Sequence, residues 1–166
     1  FSKNPNYWNA DAVKLDGIRF ALIEDSNAAY SAYQTGEVLM IKDVPTEEIP
    51  SLSGNADFYV DPIIGTYYIS LNLNNDAFKD AKVRRALSLA IDRDYVANTL
   101  MQGTYSPASN FMGPGWIDTD GSQFMDNANG GTPYIDITDF EANLEEAKAL
   151  MEEAGYPNGE GFPAIE

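Results

Sequence analysis

The fold is decided by the stretch from Ala56 to Tyr105, which reads ADFYVDPIIGTYYISLNLNNDAFKDAKVRRALSLAIDRDYVANTLMQGTY. Its first part, up to Leu73, is rich in β-branched and aromatic residues, which are typical of strands. Gly65 interrupts this run, and a strand interior avoids glycine unless the chain bends or another backbone approaches closely. The stretch therefore predicts a strand that crosses between two structural units at a cleft, followed by helices. It indicates a binding function more strongly than a catalytic one.

Predicted strands and predicted helices alternate along the whole chain. Apolar residues at helical spacing predict a helix capped by Asp80, a short helix begun by Asp92 and a last helix that begins at Thr138 or Asp139. The remaining predictions are strands at 14–24 and 38–44, short helices after Ser26 and Pro45, and a long loop at 103–138. Strands that alternate with helices favour an α/β fold with a mixed or parallel sheet.

Composition excludes several classes of function. The 166 residues carry a net charge of −16 with a pI near 4.1, which argues against binding nucleic acid or an anionic membrane surface. The absence of cysteine and histidine removes thiol nucleophiles, disulfides, most zinc sites and histidine-based triads. The chain has no apolar run near the roughly 20 residues of a membrane span. It begins at Phe1 without a visible signal peptide, so we expect an internal piece of a longer protein.

The tetrapeptide Gly65-Thr66-Tyr67-Tyr68 is the first candidate for a binding site. Glycine allows a ligand to approach the backbone, and the threonine and tyrosines offer hydroxyl and aromatic contacts. The alternative is that the tyrosines alternate between two faces of a sheet, with one of them in the core. Other aromatic side chains either stack on a ligand or fill small satellite cores, namely Tyr7, Trp8 and Trp116.

Charged residues offer further candidates, each with a structural alternative. The basic group Lys82, Arg84 and Arg85 binds a carboxylate or phosphate, or pairs with nearby acids, for which the candidates are Asp76, Asp80 and Asp92. Glu145 and Lys148 fit an exposed ion pair on one helix better than a metal site or an acid–base pair. The segment WIDTDGSQFMD, with Asp118 and Asp120, partly matches a calcium loop but lacks a third ligand and the bidentate glutamate, so turn formation explains it equally well.

Several motifs together resemble a known family. They are NPNYW at 4–8, YQTGEV at 33–38, YVDP at 59–62, GTYY at 65–68, FKDAKVRRALSLAIDR at 78–93, EEAK at 145–148 and EAGY at 153–156. Through them the chain resembles the extracellular solute-binding proteins of family 5, which serve oligopeptide, dipeptide and nickel ABC transporters. The motifs cover nearly the whole chain in family order, and the one at 78–93 is the most specific.

The resemblance implies a fold and a site. It implies part of a mixed-sheet α/β architecture of the type II periplasmic-binding-protein kind, with residues 1–64 in the lobe that bears the chain termini and 65–166 in the crossover strand and the first part of the second lobe. Carried over residue by residue, it points to a ligand-binding set: Lys42, Asp43, Val44, Gly65, Thr66, Tyr67 and Tyr68. For this chain we predict no cofactor and no metal ligand.

The resemblance also implies a function. The expected role is the substrate-binding component of an ABC importer, which captures oligopeptides or dipeptides outside the cell membrane and delivers them to permease subunits. Such a protein is not an enzyme, and it lies in the periplasm or, as a lipoprotein, on the extracellular face of the membrane. The alternatives are a receptor of the same fold for nickel or metal complexes or oligosaccharides, and a carboxylate-pair hydrolase. A further hypothesis is that the isolated chain binds peptide weakly or not at all and pairs unsatisfied sheet edges in a dimer.

Overall fold

The computed structural model describes residues 1–165, which form two compact units, the first at Phe1–Asn55 and the second from Ala56 onward. The α-helices of the first unit are α1 (Ser26–Gln34) and α2 (Ile49–Leu52), and its 3₁₀ helices are Ala10–Ala12 and Thr46–Glu48. The α-helices of the second unit are α3 (Ala81–Leu89), α4 (Phe124–Asn127) and α5 (Phe140–Glu153). It also contains a π-helix, Tyr95–Leu100, and the 3₁₀ helices Asp76–Phe78, Ala128–Gly131 and Pro157–Gly159.

The predicted helices are present, and side-chain caps explain where they begin. An Oδ1 atom of Asp80 accepts the backbone N–H of Lys82 at 2.8 Å, and one of Asp139 accepts the N–H of Ala142 at 2.9 Å. Each bond satisfies an amide that the first helical turn leaves unpaired. Helix α1 is capped by Asp25 and includes Ser26, whereas the predicted helix begins after Ser26. The C-terminal end of α5 is followed by Gly155, whose φ of +92° suits glycine.

The core of the second unit lies between α3 and α5. Leu89 and Ala86 on α3 pack with Ala147 on α5, and Ile135 from the preceding loop completes this buried cluster. Leu89 is only 1% exposed. The half-buried side chains of Leu150 and Met151 cover the cluster. The two helices are therefore joined by Ala86 and Leu89 on α3 and by Ala147, Leu150 and Met151 on α5.

Ion pairs between α3 and α5 correct the predicted pairing of the basic group. Lys82 contacts Glu153 at 2.9 Å, and Arg85 contacts Glu146 at 2.8 Å. Arg84 instead donates to the backbone carbonyls of Phe78 and Lys79. The ion pairs are not formed with the predicted partners Asp76, Asp80 and Asp92, although Asp80 adds a weaker attraction to Lys82. A helix some 60 residues later supplies the carboxylates instead, and local spacing does not reveal them.

The α/β fold class was wrong for the described residues. Between residues 1 and 165 the structure contains no β-strand, only the isolated bridges Ser2–Gly17 and Ile117–Gln123. The predicted strands at 14–24 and 38–44 and the apolar run up to Leu73 have no regular secondary structure. Many of their apolar side chains face solvent: Leu22 is 96% exposed, and Leu39 is 92% exposed.

The predicted strands are absent because a strand needs hydrogen bonds from a neighbouring strand. A β-branched, aromatic segment fits a pleated, half-buried surface, but it forms a strand only when another backbone supplies the hydrogen bonds of a ladder. These segments find no such neighbour among residues 1–165. The hypothesis of a dimer through sheet edges stays a prediction, although the edges on which it rests are not formed in the described part of the chain.

The predicted loop at 103–138 is largely irregular but contains α4 and the 3₁₀ helix Ala128–Gly131. Across the described residues, no helix has the length and apolar character needed to cross a membrane.

Candidate functional site

The segment Gly65–Tyr68 is held by a loop that begins more than 40 residues later. The Thr66 hydroxyl donates to the carbonyl of Phe111 at 2.6 Å. The rings of Tyr68 and Phe111 meet edge to face, with centroids 5.1 Å apart. Tyr67 is 90% exposed and Tyr68 is 60% exposed, so both predicted aromatic contacts remain accessible. Neither tyrosine lies in the core, which removes the alternative interpretation for the described residues.

The glycines near this segment differ in what they require. A Cβ atom on Gly65 would meet nothing within 4 Å, so one side of the backbone at this position is open. Gly115 has a φ of +99°, and a Cβ there would lie 3.0 Å from Cγ1 of Ile64. Gly115 therefore both turns the chain and lets the loop approach Ile64. The space beside Gly65 is consistent with its predicted role of allowing a close approach.

The other predicted residues, Lys42, Asp43 and Val44, lie in the first unit. They are consecutive and follow the exposed residues Leu39 and Met40. Lys42 and Asp43 are exposed, whereas Val44 is half-buried next to the buried Pro45. Their two opposite charges are thus presented to solvent side by side.

Phe111 contacts the candidate segment, and sequence reasoning missed it. It stands in a loop between Asn110 and the glycine–proline run of 113–115, which carries no helical or strand periodicity. An aromatic residue in such a loop is a weak signal, and nothing in the spacing relates it to Thr66. Its contact with the segment Gly65–Tyr68 became visible only from the three-dimensional arrangement.

The partial calcium-loop motif forms a closed turn. Asp120 accepts the N–H and the hydroxyl of Ser122 at 2.9 and 2.6 Å. The side-chain amide of Asn127 donates to Asp118 at 3.0 Å and to the Ser122 hydroxyl at 2.9 Å. The bond from Asn127 is the main reason that the pKa of Asp118 lies below its usual range.

This turn is a structural one. A donating amide points into the group of oxygens, where a cation would need acceptors instead. Within residues 1–165, no group of three or more histidine, cysteine, aspartate or glutamate residues could hold a metal ion. Turn formation is the interpretation that fits.

The predicted exposed pair on α5 is confirmed, since Lys148 donates to Glu145 at 2.6 Å. Tyr7 and Trp8 contact each other, with ring centroids 5.6 Å apart. Two shallow depressions, of about 260 and 270 Å³, lie beside the C-terminal half of α5 and between Phe1 and Ile18. Tyr7 lines the second depression, but neither depression is lined by a residue of the ligand-binding set at 42–44 and 65–68.

Comparison with known proteins matches almost the entire chain. Residues 1–164 fit the family model of bacterial extracellular solute-binding proteins, family 5 middle. The dipeptide-binding protein DppE of Bacillus subtilis is 29% identical over 163 residues, which are 98% of this chain and 28% of that protein. The oligopeptide-binding protein OppA of the same organism is 28% identical over 167 residues, covering 98% of this chain and 29% of OppA.

A third relative binds a different small peptide. The glutathione-binding protein GsiB of Escherichia coli (strain K12) is 30% identical over 159 residues, 95% of this chain and 28% of that protein. The chain thus spans less than a third of the length of these curated relatives. With a family match over residues 1–164, this chain belongs to the bacterial extracellular solute-binding proteins of family 5.

Proposed function

We propose that this chain forms part of the substrate-binding component of an ABC importer, which captures dipeptides or oligopeptides outside the cell membrane and delivers them to the permease. The observation that carries the proposal is the family match over residues 1–164, together with relatives whose names specify dipeptide, oligopeptide and glutathione binding. In this role the protein binds and releases its substrate without chemical change.

The exposed segment Gly65–Tyr68 suits recognition of a peptide. The open side of Gly65 admits a ligand backbone, and the exposed Tyr67 ring offers both an apolar face and a hydroxyl. A site of this kind tolerates many different side chains on the peptide ligand, because hydrogen bonds to the ligand backbone provide most of the affinity. These features support a site that accepts peptides of varied sequence.

Lys42 and Asp43 supply complementary charges. A short peptide is a zwitterion with an ammonium group at one end and a carboxylate at the other. An exposed lysine next to an exposed aspartate can pair with either end. On this ground we assign Lys42 and Asp43 to the ligand-binding set, and we include Val44 as their neighbour in sequence. The proposal has residues 1–64 in one lobe and 65–166 in the other.

The proposal places the protein on the outer face of the membrane as a lipoprotein or in the periplasm. Its partners are then the peptide and the permease subunits. A receptor for metal complexes or oligosaccharides is the competing function. The described residues contain no cluster of metal-binding side chains, although a metal complex could be bound through its organic ligand.

The test starts with the full-length gene product that contains this sequence. It is purified without denaturation, and the co-purified ligand is identified by mass spectrometry. Calorimetry then measures binding of Ala-Ala, penta-alanine, glutathione, a nickel chelate and maltotriose. Peptide as the co-purified ligand, with micromolar or tighter binding of one peptide probe, supports the proposal. Exclusive binding of the chelate or the sugar, or turnover of a bound peptide, refutes it.

A further inference from the structure

The loop of residues 109–113, called the bridging loop, makes contacts in two directions. On one side the carbonyl of Phe111 accepts the Thr66 hydroxyl, and the Phe111 ring packs against Tyr68. A Cβ on Gly113 would lie 3.8 Å from Oγ1 of Thr66, so the loop backbone runs directly beside the segment Gly65–Tyr68. Of the four residues of that segment, Thr66 alone is not exposed.

On its other side the bridging loop is tied to residues 134 and 135. The carbonyl of Ser109 accepts the N–H of Ile135 at 3.2 Å, and Oδ1 of Asn110 accepts the N–H of Tyr134 at 3.2 Å. Ser109 and Asn110 are half-buried. The adjacent residues Ser109 and Asn110 therefore accept hydrogen bonds from the backbone amides of the adjacent residues 135 and 134.

Residues 134 and 135 in turn belong to the helical core. Ile135 is buried in the cluster between α3 and α5. The carbonyl of Tyr134 accepts Nη1 of Arg85 at 3.1 Å, while Nε of the same guanidinium binds Glu146 on α5. Continuous contacts thus lead from the packed helices through the bridging loop to the candidate ligand-binding segment.

Such an anchor matters because the segment has no regular secondary structure to fix it. Residues 61–73 form no ladder with another strand in the described chain. A ring that contacts a ligand must be held in one orientation beforehand, or binding must also order it. The edge-to-face contact with Phe111 provides that orientation for Tyr68.

We propose that the bridging loop positions the candidate ligand-binding segment on the helical core, with Thr66 and Phe111 as positioning residues for Tyr68. Thr66 then acts through Phe111, since its hydroxyl proton is already donated within the chain. The consequence for ligand affinity rests on the proposed function, whereas the positioning itself does not.

The test compares variants of the full-length gene product. Thr66→Val removes the hydroxyl and keeps the shape, and Thr66→Ser restores the donor. Asn110→Ala loosens the opposite side of the bridging loop. Thr104→Val is the matched control, because Thr104 is also half-buried and donates its hydroxyl to a backbone carbonyl, that of Met101, at 2.7 Å. Thermal unfolding of each variant confirms that it remains folded.

Two measurements are made on every variant. The first is the ¹⁹F spectrum of protein labelled with 3-fluorotyrosine, in which the Tyr68 signal is assigned with Tyr68→Phe. The second is the affinity, by calorimetry, for Ala-Ala, penta-alanine and glutathione. We expect Thr66→Val to shift or broaden the Tyr68 signal and to weaken peptide binding about fivefold, the size of one typical net hydrogen bond.

The rescue variant Thr66→Ser and a double variant distinguish a positioning role from a general loss of stability. Thr66→Ser is expected to restore the signal and the affinity, and Thr104→Val to leave both unchanged. Asn110→Ala is expected to move the Tyr68 signal in the same direction, and the double variant Thr66→Val, Asn110→Ala to weaken binding less than the sum of the single effects.

The outcomes that overturn the inference are distinct from those that overturn the function. An unchanged Tyr68 signal in Thr66→Val refutes the positioning. A changed signal with unchanged peptide affinity refutes its link to binding, while the proposed function stands. If the wild-type protein binds none of the three peptides, the proposed function fails, and the ¹⁹F spectra still decide whether the bridging loop positions Tyr68.

Discussion

Leu89 on α3 offers the sharpest test of the helical core. Its side chain is 1% exposed and lies in the cluster with Ala86, Ile135 and Ala147. Leu89→Ala removes three buried carbon atoms, which costs about 2.4 kcal/mol at roughly 0.8 kcal/mol each. A residual cavity adds to this cost, and measured Leu→Ala changes in cores fall at about 2–5 kcal/mol.

The neighbours of Leu89 place the expected value in the lower half of that range. The side chains that cover the cluster, Leu150 and Met151, are half-buried, and methionine adapts readily to irregular space. They can therefore move into part of the cavity. We expect Leu89→Ala to lower the free energy of unfolding by about 3 kcal/mol.

The assay is urea unfolding of the 166-residue chain, followed by far-ultraviolet circular dichroism. Leu73→Ala is the matched control, because Leu73 lies in the same unit but is 56% exposed. We expect this control to stay within about 0.5 kcal/mol of the wild type. A loss below about 1 kcal/mol for Leu89→Ala would show that α3 does not pack on α5 as described.

Three further predictions concern charged residues of the second unit. The ion pair Arg85–Glu146 is half-exposed, so its coupling free energy in a double-mutant cycle of unfolding should be less than about 1 kcal/mol. This coupling should be larger at low salt than at high salt, and a coupling independent of salt would contradict an ionic contact. Asp139→Ala should destabilise α5 by about 1 kcal/mol, measured by urea unfolding, and Asp139→Asn should recover most of it. Hydrogen bonds to the Asp120 carboxylate, chiefly the one from the Ser122 hydroxyl, lower the pKa of Asp120 in the folded protein. The stabilisation that results is fully present above the unfolded-state pKa of Asp120, and it is lost as the pH falls below 3.8 and through the lower folded-state pKa. Asp120→Asn should therefore show a smaller loss of stability over that acid range in pH-dependent unfolding, and equal losses would contradict the assignment.

The helices were predictable because their signals are local. Asp80 and Asp139 each sit directly before an apolar pattern of period 3.6, and each caps the helix that the pattern predicts. The identity of the cap, the apolar stripe and the terminating glycine all lie within one short window of sequence. These signals predict a buried face on each helix, but they do not predict that α3 and α5 pack against each other.

The absence of the predicted strands from residues 1–165 could not be predicted in the same way. The composition of residues 58–73 describes a side-chain surface that suits a sheet, but hydrogen-bond partners are a property of other parts of a chain. The bond between Thr66 and Phe111 shows the same limit for the candidate site, since it joins residues 45 apart in sequence. The tetrapeptide at 65–68 could be singled out from its chemistry, whereas the loop that holds it could not.

The conformation of Gly115 has a consequence for how the chain tolerates change. A side chain at this position would meet both a left-handed backbone and the Ile64 side chain, 3.0 Å from the new Cβ. At Gly113, two residues earlier, the nearest such contact is 3.8 Å and the backbone is not left-handed. In a saturation library screened for folded protein, alanine and serine should survive at 113 while almost every codon except those for glycine disappears at 115. The two glycines of one short run thus belong to different mutational classes.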